Sequence, residues 1–198
     1  MPLHVFEPRY RKLVGDVLKS SEPRIVMALL RPGWEADYYG SPDTFEIGGL
    51  GLVSEVEELE EGDLNIVLEG QSRCRIVDFT QDSPYRMAAV EPLAELLPDG
   101  LESDALASGL ISRFDTLTNS LGDPAEFAAF LRGANFQTVV NSICSSVLIP
   151  HEEKQRLLEM ESLKSRAQAM LGILNQLLSQ NELLADFDHL RPEDPEFN

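Results

Sequence analysis

Met1-Pro2-Leu3-His4-Val5-Phe6-Glu7-Pro8-Arg9-Tyr10-Arg11-Lys12-Leu13-Val14 decides how this chain starts to fold. Leu3 to Phe6 predicts a short apolar strand that runs straight into a helix with no loop between. Pro8 suits the first helical turn, where its missing N–H costs nothing and its fixed φ is already helical. Glu7 places negative charge beside the positive end of the helix dipole. Tyr10, Leu13, Val14, Val17 and Leu18 recur at i, i+3, i+4, i+7 and i+8, which predicts one buried helix face. A strand and a helix leaving one corner pack on the same core. Phe6 is therefore expected inside, and Phe6→Ala is expected to cost about 3–5 kcal/mol if the ring is fully buried.

Beyond the corner, Arg24 to Leu30 is a continuous apolar run that predicts a buried strand. Residues 31 to 46 read as a loop, with turn chemistry at Arg31-Pro32-Gly33-Trp34 and Gly40-Ser41-Pro42-Asp43. This loop carries the only Trp and the pair Tyr38-Tyr39. It is either a contact surface or a loop that folds its own aromatics back onto the sheet. Ile47 to Val53 is a glycine-rich strand, and its glycines suggest a bulge or a close backbone crossing. Val53 to Glu60 and Leu64 to Gly70 flank Glu61-Gly62-Asp63 as a hairpin, with Leu64, Ile66 and Leu68 on one face. The acids from Glu55 to Asp63 lack calcium-loop spacing and read as a solvated, charge-protected hairpin. Arg73 and Arg75 share a strand face, either as a small anion site or ion-paired across the sheet.

Leu97-Pro98-Asp99-Gly100 marks a composition shift, and the rest reads as helical. Leu106, Leu110, Phe114 and Leu117 mark one helix. Asp123-Pro124-Ala125-Glu126 opens a second, which Gly133 ends. Thr138 to Val147 forms a third, Pro150-His151 starts a fourth, and Ser162 caps a long fifth. In that last helix Ala167, Met170, Leu171, Leu174, Leu177 and Leu178 form a bundle-type stripe.

Acids outnumber bases 34 to 16, for a formal net charge of −18, which argues against nucleic acid and anionic membranes as partners. No apolar run has membrane-spanning length and no signal pattern opens the chain, so a cytoplasmic protein is expected. Cys74 and Cys144 are expected as buried thiols without a disulfide. Chemistry is hard to find. His151-Glu152 begins like a zinc-protease motif, but Gln155 stands where the second histidine is needed. No Gly is followed by Lys, so there is no phosphate-binding P-loop, and no nucleophile elbow is present. Catalytic, cofactor-binding and metal residues are expected to be none.

Five segments carry a resemblance to a known family. Pro2 to Arg11 resembles the "PLxIFEPRY" signature of the Lon protease N-terminal (substrate-binding) domain, a family that includes proteins carrying this domain alone. Ile47 to Val53 resembles its "VGTLAxI" strand, with Gly49 and Gly51 where Thr and Ala are usual. Leu68 to Ile76 resembles "VEGxxRxRI", and Ser83 to Leu93 resembles "PYxxAxVEPL". Val147 to Leu158 is similar to "LPLSxEEKQxLLE". The resemblance covers residues 2 to 180 and implies an α+β fold, a twisted PUA-like β-pseudobarrel with one early helix followed by a helical bundle. The expected parts are a barrel over 1–96, a helical bundle over 97–185, and a frayed acidic tail over 186–198. Family members usually carry a further strand, "LPLFPLxxVLFPG", before the signature. Either the natural start lies upstream of Met1 or this barrel lacks an edge strand.

Lon proteases add an ATPase module and a Ser-Lys peptidase module, and neither motif is present here. The resemblance therefore implies a non-enzymatic polypeptide-binding module in protein quality control, with unfolded polypeptides or a protein partner as its ligands. The alternative is an adaptor that docks on one folded partner or on itself. Trp34, Tyr38, Tyr39 and Phe45 are the expected polypeptide contacts, because aromatics dominate contact energies at interfaces.

Overall fold

In the computed structural model, which describes residues 1–38, 40–81, 84–121 and 126–186, strands occupy the first half and helices the second. The order is β1 (Pro2–Val5), α1 (Pro8–Val17), β2 (Arg24–Met27), β3 (Ile47–Glu58), β4 (Leu64–Gln81) and β5 (Met87–Leu93). Then follow α2 (Gly100–Leu121), α3 (Glu126–Arg132), α4 (Phe136–Ser146), α5 (His151–Glu159) and α6 (Leu163–Asp186). The chain divides into two units, Met1–Ala94 and Glu95–Asn198. The Asp123-Pro124-Ala125 helix start, Ser83, and the tail from residue 187 lie outside the described residues.

The first unit is built on β4, an 18-residue strand. One side of β4 pairs antiparallel with β3, and the other pairs with β1 near its start and β5 near its end. The sheet runs β1-β4-β3-β2, with β5 off that path. Pairing skips a residue four times, at Gln71, Ser54, Val77 and Thr80. Each skip is a bulge, which bends the strand and adds twist, so five strands curl into an open barrel instead of lying flat. The glycine strand answers its sequence reading at Gly48, where an added Cβ would sit 2.7 Å from the Met27 carbonyl oxygen. The β3–β4 turn holds Glu61 and Gly62 at φ +72° and +79°. Arg11 steadies it by donating to the Glu61 carbonyl at 2.9 Å and to Asp63 at 3.3 Å.

Val5, Val14, Val53, Ile66 and Leu68 form the core of this unit, with Leu3, Leu13 and Val17 packed against it. The expectation that Phe6 is buried is corrected: Phe6 is 60% exposed. Strand side chains alternate between faces, so Val5 pointing inward turns its neighbour Phe6 outward. The helix face is also narrower than its periodicity suggests. Val14 is buried, but Tyr10 is 42% exposed, and Leu18, just past the end of α1, is exposed too. The strand expected over 24 to 30 pairs regularly only to Met27, then continues as an isolated bridge between Leu30 and Thr44. Arg73 and Arg75 do not form a pair: Arg73 is buried and donates to the Ala94 carbonyl at 3.4 Å, whereas Arg75 is exposed.

In the second unit, Leu110, Phe114 and Leu117 of α2 share one core with Val139, Val140 and Ile143 of α4 and with Ala167, Met170 and Leu174 of α6. The starts of α4 and α6 are capped: Asn135 accepts from the Thr138 N–H at 2.9 Å, and Ser162 accepts from the Ser165 N–H at 3.3 Å. α3 ends at Arg132, just before Gly133. The buried Arg166 sits among these helices, ion-paired with Glu95 at 3.2 Å. Among the described residues, no helix is long and apolar enough to cross a membrane.

Candidate functional site

The aromatic loop folds into a single 3-10 turn over Trp34–Asp37. Gly33 opens it at φ +92°, a left-handed conformation that glycine adopts at least cost. The turn brings Trp34 against Tyr38, with ring centroids 5.6 Å apart and planes tilted 54°. Tyr38 O–H donates to Glu7 Oε1 at 2.9 Å, and that bond raises the phenol's pKa above its ordinary value. Arg9 Nε donates to the other Glu7 oxygen at 2.9 Å. Its guanidinium stands 4.7 Å from the Tyr10 ring centroid and 5.3 Å from that of Tyr38, within reach of both ring faces.

Of the four expected contact residues, Trp34 and Tyr38 come together. Phe45 is engaged elsewhere, under the Arg31 guanidinium at 4.8 Å, with its N–H bonded to the Leu29 carbonyl. Tyr39 lies outside the described residues. Tyr10 and Arg9 join the cluster without having been singled out as contacts. The pattern of α1 assigned Tyr10 to the core. In the first turn of that helix, however, its neighbours are Arg9 and an open groove.

That groove, of about 580 Å³, is the structural feature next to the loop. Its walls are α1 (Arg9 to Val17), the stretch from Arg24 to Leu30, and the turn into β5 from Pro84 to Ala88, with Tyr38 at the rim. Two polar links hold the walls. Tyr85 O–H donates to Asp16 Oδ2 at 3.0 Å, and Arg86 Nη1 donates to the Pro42 carbonyl at 2.7 Å. The Arg86 guanidinium also lies 3.5 Å from the Phe79 ring centroid.

The carboxylates beside the groove are paired. Asp16 takes hydrogen bonds from Lys12 and Lys19, both at 2.8 Å, and from Tyr85. These bonds, Lys12's first, hold its carboxyl well below the usual carboxylate range. Glu22 pairs with Arg24 at 3.1 Å, and Arg9 with Glu7. A recess of about 590 Å³ on the same unit differs in this respect, because Glu55 and Glu57 line it beside His4 and Asn65.

Burial pushes the Cys74 thiol up, and burial pushes Cys144 up to about 11. Both cysteines are free. Gln155 is buried and donates to Glu159 at 2.9 Å, so the His151-Glu152 start leads to a packed helix face. Among the described residues, no three His, Cys, Asp or Glu side chains cluster as a metal site would need.

Known proteins place this architecture. The family profile for the ATP-dependent protease La (LON) substrate-binding domain matches residues 1–176. The Lon protease of Chloroherpeton thalassium is 27% identical over 186 residues, covering 92% of this chain and 22% of the relative. The Lon protease of Parabacteroides distasonis is 27% identical over 200 residues, covering 98% of this chain and 24% of the relative. The chain thus spans under a quarter of the length of these curated relatives. Two solved structures share the fold. The N-terminal domain of the Mycobacterium avium complex Lon protease aligns with a TM-score of 0.69 at 12% identity, covering 88% of this chain and 90% of that one. The Lon N-terminal domain protein from Xanthomonas campestris aligns with a TM-score of 0.52 at 21% identity, covering 90% of this chain and 88% of that one. An antiparallel barrel, a helical second unit and a profile match over most of the length agree: this chain belongs to the Lon substrate-binding domain family.

Proposed function

We propose that this chain is a non-enzymatic polypeptide-binding module of the cytoplasm, and that unfolded polypeptide enters the groove between α1, β2 and residues 84–88. Binding belongs to the barrel part, residues 1–96, with the paired rings of Trp34 and Tyr38, of the four aromatics expected from the sequence, as its contacts. One observation carries the reading: on a chain of net charge −18, this groove presents apolar side chains whose neighbouring carboxylates are already paired. Binding without catalysis needs such a surface, and rim aromatics supply its contact energy. Tyr38 is 36% exposed and Trp34 half-buried, so part of each ring is available. The raised thiol pKa values support a role without covalent chemistry.

A second reading, an adaptor docking on one folded partner, is favoured by a separate surface. Phe127 and Phe130 of α3 stack 6.2 Å apart, and Phe130 is 59% exposed.

Titration of fluorescently labelled casein, an unfolded polypeptide, tests the first reading. Trp34→Ala is expected to weaken binding by about 1–2 kcal/mol while leaving circular dichroism and melting temperature unchanged. Failure of casein to bind, or equal binding by wild type and Trp34→Ala, contradicts it.

A further inference from the structure

The groove is not only apolar, because one wall is the edge of a strand. Side chains on a strand alternate between its two faces, yet Arg24, Ile25 and Val26, three successive residues of β2, all line the groove. A cavity reached by successive residues follows the strand's edge. The hydrogen bonding shows which backbone groups lie there. Val53 N–H donates to the Pro23 carbonyl at 2.8 Å, Ile25 and Met27 stand opposite Gly51 and Gly49, and Phe45 N–H reaches the Leu29 carbonyl at 2.9 Å. Antiparallel ladders alternate, so odd-numbered residues turn their backbone groups to the β3 side and even-numbered ones turn away. The Arg24 N–H already bonds the Glu22 carbonyl at 2.9 Å. Among the described residues, the Arg24 carbonyl and both backbone groups of Val26 are left facing outward, and the sheet path ends at β2.

We infer that the groove takes its polypeptide by strand addition: an extended segment pairs with the outward backbone groups of Arg24 and Val26, between β2 and residues 84–88. This rests on the polypeptide-binding reading and specifies its mode. The occupant's chemistry follows from the walls. Leu13, Val17, Ile25, Val26 and Met87 call for uncharged, apolar side chains in the middle of the segment. The exposed carboxylates of Glu35 and Asp37 lie outside the groove, on the turn next to it, and favour basic residues only where the segment leaves the groove. Main-chain pairing supplies affinity that depends little on side-chain identity, which suits clients of varied sequence.

The probe is a fluorescein-labelled peptide of alternating valine and threonine with lysines at both ends. A copy N-methylated at a pair of adjacent central residues loses a donor on each edge and keeps every side chain. The methylated copy is expected to bind at least about tenfold more weakly, the loss of one to two hydrogen bonds. Val26→Pro removes the outward N–H at an edge position that tolerates proline, and should weaken the parent peptide similarly. Val26→Ala keeps the N–H and removes only part of the apolar wall, so it should weaken the parent peptide clearly less than Val26→Pro does, since most of the pairing energy is main-chain. Equal binding of parent and methylated peptides overturns strand addition, as does failure of the parent peptide while casein still binds. Either result leaves the polypeptide-binding reading standing. Failure of both peptide and casein overturns both. A dimer that Val26→Pro disperses and Val26→Ala does not makes a second copy the occupant and overturns the client.

Discussion

Replacing Arg166 by methionine is expected to destabilise the helical unit by about 3–5 kcal/mol, the range for breaking a buried ion pair from one side. Arg166 is 2% exposed. Its guanidinium donates to both Glu95 oxygens at 3.2 Å, to the Leu157 carbonyl at 2.9 Å, to the Met160 carbonyl at 2.7 Å and to Asn141 Oδ1 at 2.7 Å. Methionine fills much of the volume but satisfies none of these acceptors. A carboxylate, two backbone carbonyls and the Asn141 amide oxygen are then left in a site with little water, where each unsatisfied group adds its desolvation penalty. The double replacement Arg166→Met with Glu95→Leu should recover part of the loss, because it also removes the stranded charge. Urea unfolding followed by circular dichroism reads both variants. A single variant within about 1 kcal/mol of wild type would show that this network contributes little beyond what water replaces.

In the barrel unit the largest effect is expected at Ile66, which is buried on β4 among Val5, Val14, Val53 and Leu68. Ile66→Ala should cost about 2–5 kcal/mol, combining the lost transfer energy with the cavity left between sheet and α1. Phe6→Ala serves as the internal comparison. Its ring is mostly exposed and stacks only loosely on His4, with centroids 6.0 Å apart, so removal should cost less than about 1 kcal/mol. The same urea series measures both, and a reversed order would mean that β1 packs with its other face inward.

That contrast shows what the sequence could and could not convey. The strand-helix corner, the alternation at Leu64, Ile66 and Leu68, and the stripe at Ala167, Met170 and Leu174 were legible, because burial imposes a period on the residues themselves. Phe6 was not. An apolar run of four residues does not say which face is covered, and only Val5 pointing inward settles it. Arg166 escaped for a different reason. It lies four residues before Met170, on the same helix face, but its charge hides it from a hydrophobic pattern. Its partner Glu95 is 71 positions away in sequence. The groove was invisible in the same way. The loop announced its aromatics, but nothing local announces that β2 ends the sheet, since an open edge is a property of the topology.

Hydrogen exchange of the full chain, with and without saturating casein, shows whether an extended client pairs with the β2 edge. Slowed exchange is expected at the Val26 amide and over residues 85–88, with the amides of α4 and α6 unchanged. Protection confined to α3 around Phe127 and Phe130, or no protection in β2, would contradict that pairing.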